Sequence, residues 1–167
     1  MNPTSPPYVL PAAADIGHVH LKVADLERSI VFYRDVLGFE VTARYGRQAA
    51  FLSAGGYHHH LGLNTWESEG GSAPPRSTTG LFHFAIRYPD RTSLAIALKR
   101  LVEAGVPLQG AADHAVSQSL YLADPDGNGI ELTIDLPRDQ WRHEPDGSVH
   151  MVTEPLDLNA LLAQAQG

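Results

Sequence analysis

The sequence predicts an α+β fold: two tandem βαβββ modules whose sheets curl together around a metal-binding cleft. Three observations carry this reading. "GHVHLKVAD" (Gly17 to Asp25) returns as "FHFAIRYPD" (Phe82 to Asp90), with His18 falling on His83. Each copy leads into an amphipathic run and then a glycine, in "LGFEV" and in "AGVPL". Finally, the strand alternation in both copies sets the histidines opposite the apolar side chains, so two imidazoles face one another across the cleft and a cation fits between them.

Residues 1–15, rich in proline and alanine, read as an irregular arm. Module one spans 16–66. On its first strand Val19, Leu21 and Val23 share one face, and His18, His20 and Lys22 share the other. Asp25 suits the N-cap of the following helix. Leu26, Ile30, Tyr33 and Leu37 make one apolar stripe on that helix, and Gly38 suits its left-handed end. Strands are expected at "FEVTARY", "QAAFLSA" and "HHLGLNTW". The Gly/Ser/Pro-rich "ESEGGSAPPRSTTG" (67–80) is a linker. Module two spans 81–135. Phe84, Ile86 and Tyr88 take the helix-facing side of its first strand, and His83, Ala85 and Arg87 the other. Asp90 or Thr92 caps a helix carrying Leu94, Leu98 and Leu101, which Gly105 ends. Strands follow near "PLQGAAD", "SLYLAD" and "GIELTID". The extension 136–167 holds a short amphipathic helix, "LDLNALLAQAQ", whose leucines can pack on the body or on a second subunit, so a homodimer is compatible with it.

Composition narrows the function. The 167 residues carry 12 Lys+Arg against 19 Asp+Glu, a formal net charge of -7, which disfavours nucleic acid as a partner. With no cysteine, thiolate metal sites, disulfides and cysteine nucleophiles are excluded. No apolar run reaches the roughly 18 residues of a membrane span, and the first residues lack the pattern of a signal peptide. A cytoplasmic protein is expected. Nine histidines are many for this length.

"HVHLKVADLERSIVFYRDVLGFEV" and "YLADPDGNGIELTID" resemble the vicinal oxygen chelate superfamily, which includes glyoxalase I, extradiol ring-cleaving dioxygenases and bleomycin- or fosfomycin-resistance proteins. The tail "PRDQW…MVTEPLDLNALL" is similar to that of the catechol-2,3-dioxygenase-type members. The resemblance implies an Fe(II)-dependent dioxygenase of aromatic catabolism, cleaving a catechol-like diol with O2. Its ligands would be His18, His83 and Glu131, a facial triad with room for substrate and O2. The alternatives are a Mn(II)-, Ni(II)- or Zn(II)-dependent lyase, isomerase or thiol transferase, or a metal-free binding protein.

The residues agree with that ligand set. Glu131 lies between Ile130 and Leu132, so alternation puts its carboxylate in the cleft, where it needs a positive partner. Tyr121 stands ten residues earlier, at the spacing of the substrate-binding tyrosine of ring-cleaving members. The acid/base histidine of those members would fall on Ala112, so His114 is the nearest substitute, with His20 and His60 behind it. Of His58, His59 and His60 at most two can face the cleft. The counterpart of Glu131 in module one is His59, His60 or Gly62, none of them acidic, which favours an open three-ligand site over the four-ligand site of glyoxalase I. Asn64, Trp66 and Arg87 are expected on the cleft wall.

Overall fold

Alternating apolar and polar residues make the first strand of each module, and burial follows the alternation. In the computed structural model, which describes residues 7–75 and 77–166, β1 (Val19–Lys22) buries Leu21 and leaves His20 and Lys22 exposed. The first six residues of the arm and residue 76 of the linker lie outside the described residues. Asp25 caps α1 (Leu26–Val31), its carboxylate accepting from the Arg28 N–H at 3.0 Å. The helix then continues as a π-helical turn over Phe32–Val36. The wider turn keeps Tyr33 fully buried beside Ile30 while Leu37 is only half-buried, so the expected stripe holds for its first three members. Gly38, at φ 85°, ends it in the left-handed conformation.

Strands β2 (Glu40–Tyr45), β3 (Ala49–Ser53) and β4 (Leu61–Asn64) complete the first sheet, ordered β1-β4-β3-β2. The second unit repeats the scheme with β5 (Phe84–Arg87), α2 (Arg91–Glu103), β6 (Gly110–Asp113), β7 (Ser117–Ala123) and β8 (Gly129–Asp135). Its order is β5-β8-β7-β6-β9. The added edge, β9 (Glu154–Pro155), comes from the C-terminal extension and was not foreseen. Asp90 is the N-cap of α2, accepting from the Ser93 N–H at 2.7 Å. In both units the first strand pairs in parallel with the last: His20 faces Gly62 in one, and Ala85 faces Glu131 in the other. The repeat seen in the sequence is therefore a repeat in register.

The helix sides of both sheets meet in one core, to which Leu63, Leu98 and Leu132 all belong. From the extension, α3 (Leu158–Leu162) adds the fully buried Leu161. No helix among the described residues is long and apolar enough to cross a membrane.

A buried carboxylate ties the two units. Asp124, 5% exposed, opens the turn between β7 and β8 and accepts from the N–H groups of Asp126 and Asn128 and from the Asn128 side chain. Its remaining partner comes from module one: the Tyr33 hydroxyl donates to it at 2.9 Å. Burial, and then the neighbouring carboxylate, push the Tyr33 phenol far above its ordinary range, so it is always a donor. Arg28 and Ser29 of α1 reach Asp126 in the same turn. Tyr33→Phe should therefore cost about 1–3 kcal/mol, the range for leaving a buried acceptor short of a partner. The check is a lower urea midpoint with an unchanged denaturant slope.

Candidate active site

The site begins with a glycine. Gly129 starts β8 against the segment leading into β5, where a Cβ would stand 2.1 Å from the Phe82 carbonyl oxygen and 3.0 Å from the His83 Cβ. Only glycine lets the two strands approach there. Two residues on, Glu131 points to the face opposite its buried neighbours Ile130 and Leu132. His83 Nε2 and Glu131 Oε2 consequently lie 3.0 Å apart. The carboxyl is 13% exposed and sits on an internal strand.

Two further side chains hold Glu131. Ser119 Oγ donates to Oε1 at 2.5 Å and is itself 2.9 Å from Thr133 Oγ1. Tyr121, directly opposite Glu131 in the β7–β8 register, places its hydroxyl 3.2 Å from the same oxygen. Burial chiefly, with the Glu131 charge and hydrogen bond adding to it, raises the Tyr121 pKa against the lowering effect of Ser119, so the phenol keeps its proton at neutral pH.

His114 completes the array. Its Nε2 is 2.7 Å from the Tyr121 hydroxyl and its Nδ1 2.7 Å from the Val152 carbonyl oxygen. A carbonyl only accepts, so Nδ1 carries a hydrogen and a neutral His114 presents a lone pair at Nε2. The single phenolic proton of Tyr121 then lies between two acceptors, His114 Nε2 and Glu131 Oε1. Ala112 is buried on β6 opposite Ser119. His114 is the next residue of that parity, on a turn whose Ala115 has φ 66°. The two-residue offset from Ala112 still leads to Tyr121.

Module one contributes differently. His18 precedes β1 with its ring 4.5 Å from that of His59. His60 accepts from the Ala54 N–H at 3.3 Å through Nδ1, with Ser53 Oγ 3.0 Å away, so its neutral ring bears the proton on Nε2. His58 and His59 contact each other, Nδ1 to Nδ1, at 2.7 Å. Burial first, then neighbouring imidazoles, lower the pKa of His59, and burial followed by His18 lowers that of His20. In both rings this favours the neutral form, which keeps a lone pair. The register resolves the counterpart of Glu131 as Gly62, over which the His20 ring lies: a Cβ at Gly62 would meet it at 2.9 Å. Phe51 and Trp66 flank the same ring.

A cavity of about 670 Å³ is lined by His18, His60 and His83 together with Leu81, Phe84 and Arg87, within the usual size range for small-molecule sites. His20 lies outside it, in a separate cavity of about 480 Å³ beside the linker. Of the other wall candidates, Asn64 is buried and accepts from the Trp66 N–H, while Arg87 pairs with Asp135 at 2.9 Å.

The donor set meets the needs of a metal in part. Neighbouring ligands of an octahedral ion at about 2.1 Å stand about 3 Å apart, which is the spacing of His83 and Glu131. His18 shares the cavity with His83 but does not meet that pair, and among the described residues no three His, Asp or Glu side chains converge on one point. Ser119 and Thr133 were missed in the sequence, although both share the strand parity of Tyr121 and Glu131. Val152 gave no signal.

A family model described as "Glyoxalase/Bleomycin resistance protein/Dioxygenase superfamily" matches residues 15–132. The chain is 48% identical over 153 residues to a catechol-2,3-dioxygenase of Bacillus subtilis, covering 90% of this chain and 52% of the relative. It is 35% identical over 123 residues to a biphenyl-2,3-diol 1,2-dioxygenase of Rhodococcus globerulus, covering 72% and 63%. The chain thus spans between half and two thirds of the length of these relatives. A glyoxalase/dioxygenase structure from Nostoc punctiforme superposes with a TM-score of 0.64 at 20% identity, over 80% of this chain and all of the other.

Ser119→Ala removes the shortest support of Glu131 and should cost about 1.5–3 kcal/mol, the range for a hydrogen bond to a charged group. The measurement is the urea midpoint of the variant, with Thr133→Val as the companion that loses only the outer hydroxyl.

Proposed function

Because the chain belongs to the glyoxalase/bleomycin resistance protein/dioxygenase superfamily, we propose that it is an extradiol dioxygenase, opening the ring of a catechol-like aromatic diol with O2 and using Fe(II). The observation that carries this is the unbroken contact chain His83–Glu131–Tyr121–His114. It joins a two-donor metal position to a phenol and an imidazole able to handle protons. The dioxygenase relatives support the same reaction class, and the glycine at position 62 argues against the four-ligand arrangement of glyoxalase I.

His83 and Glu131 would hold the metal, with His18 as the third donor from the far side of the cavity. Fe(II) so held would supply electron relay between diol and oxygen, and the charge that favours ionisation of the diol. The protein does the rest. Ser119 and Tyr121 fix one carboxylate oxygen of Glu131, leaving the other, Oε2, toward His83. The Tyr121 phenol, protonated throughout the neutral range, has one hydrogen, which it would turn from His114 or Glu131 to a substrate oxygen when the diol is bound. His114, in contact with that phenol, takes up a proton from it or returns one as charge on the substrate oxygen changes. The cavity that meets the site at His83 has Leu81 and Phe84 in its wall, apolar surface against which the ring would lie. The Nε2–H of His60 gives the same cavity a neutral donor.

The test is oxygen uptake by anaerobically prepared, Fe(II)-loaded protein over a panel of catechols. One O2 consumed per diol, with a yellow product, is expected, and no uptake by fully loaded protein would overturn the reading. Glu131→Ala and His83→Ala should lose both iron and activity. Tyr121→Phe should keep iron and lower kcat by about 10²-fold, the lower range for a positioned proton donor.

A further inference from the structure

We propose that the C-terminal extension is a working part of the active site: its strap, residues 149–155, holds His114 in one tautomer through the carbonyl of Val152. The matched family domain ends at residue 132, so this contact is made by chain beyond it. Three observations converge on the strap. His114 Nδ1 lies 2.7 Å from Val152 O, and the Val152 N–H returns to His114 O at 3.3 Å. Immediately afterwards β9 pairs with β6, Glu154 against Asp113 and Pro155 against Ala112. Beyond β9, α3 is fixed by Leu161, which is fully buried in the core. The carbonyl is thus clamped on both sides, by the strand pairing and by the helix.

The position of His114 explains why a clamp is needed. A histidine within β6, at position 112, would be aimed by the strand itself. His114 instead stands on the turn to β7, where its N–H donates to Ser117 O at 2.8 Å and the next residue, Ala115, is left-handed. An imidazole on a turn has two tautomers, and free solution favours neither strongly enough to fix a proton path. With Nδ1–H committed to the Val152 carbonyl, Nε2 must face Tyr121 as an acceptor when the ring is neutral. When the ring is charged it donates there, which releases the phenolic proton toward Glu131 or a substrate oxygen. Among the described residues of the extension, only the Val152 carbonyl meets a His114 ring nitrogen, so Val152 is a positioning residue that acts through one carbonyl oxygen.

That the held proton serves ring opening rests on the proposed function, whereas the tautomer does not, and the experiment separates them. Replacing the peptide bond between Val152 and Thr153 by an ester, through ligation of a synthetic C-terminal segment, weakens this one acceptor without changing a side chain. Full-length protein labelled with ¹⁵N at histidine is read by the imidazole nitrogen shifts, alongside steady-state oxygen uptake. Unmodified protein should show His114 with Nδ1 protonated and Nε2 bare. The ester protein should show a mixture of tautomers, a kcat lowered at least about tenfold, unchanged KM and an unchanged fold by circular dichroism. A glycine inserted between Val152 and Thr153, which moves the carbonyl while leaving β9 and α3 intact, should give the same shifts. Nδ1 bare in the unmodified protein, or an unaltered tautomer in both variants, would overturn the proposal. An altered tautomer in a protein that never consumes oxygen would leave the strap standing and remove the dioxygenase reading.

Discussion

The structure depends on one buried carboxylate. Asp124 is nearly inaccessible, and a charge so placed is tolerated only with its lone pairs filled. Three of its donors belong to its own turn, and the fourth is the Tyr33 hydroxyl of the other module. The turn between β7 and β8 fixes the pairing of those strands, and that pairing sets Tyr121 opposite Glu131 and Ser119 opposite Thr133. The residues that join the modules therefore also set the register of the site. The turn "DPDGNG" (Asp124 to Gly129) is the joint of the molecule.

The fold was legible because period and punctuation agree. The alternation around His18 and His83, the caps Asp25 and Asp90, and the glycines after both helices mark the same elements in the structure. The π-helical turn at Phe32–Val36 was not legible, since it preserves the apolar spacing until Leu37 and departs only there. Nor was β9: two residues, one of them proline, have no alternation to detect, and their pairing depends on a distant partner on β6.

Within the site, what strand parity governs could be read, and what turns and long-range backbone contacts govern could not. Glu131 and Tyr121 share a face because both lie on regular strands that pair antiparallel. Gly62 as the mate of Glu131 needed the observed register, because the glycines that invite an alignment of the two last strands fit several offsets. His114 needed the turn conformation at Ala115, and its Val152 partner is a backbone atom to which the identity of the side chain gives no clue.

The two halves of the candidate metal position differ in how firmly they are set. Glu131 is held by Ser119 and Tyr121 and paired with His83, all within the second sheet, and its surroundings leave little freedom. His18 has an exposed ring against another histidine ring, a contact of small energy compared with a ligand bond. Ordering a long array on one sheet and leaving a single donor on the other confines the adjustment that a cation requires to one side chain. The costly element, a carboxylate removed from water, is already compensated before any cation arrives, by hydroxyl donors and by the facing imidazole. Such a division asks little reorganisation of the residues proposed to handle protons, because Tyr121 and His114 touch only the fixed side.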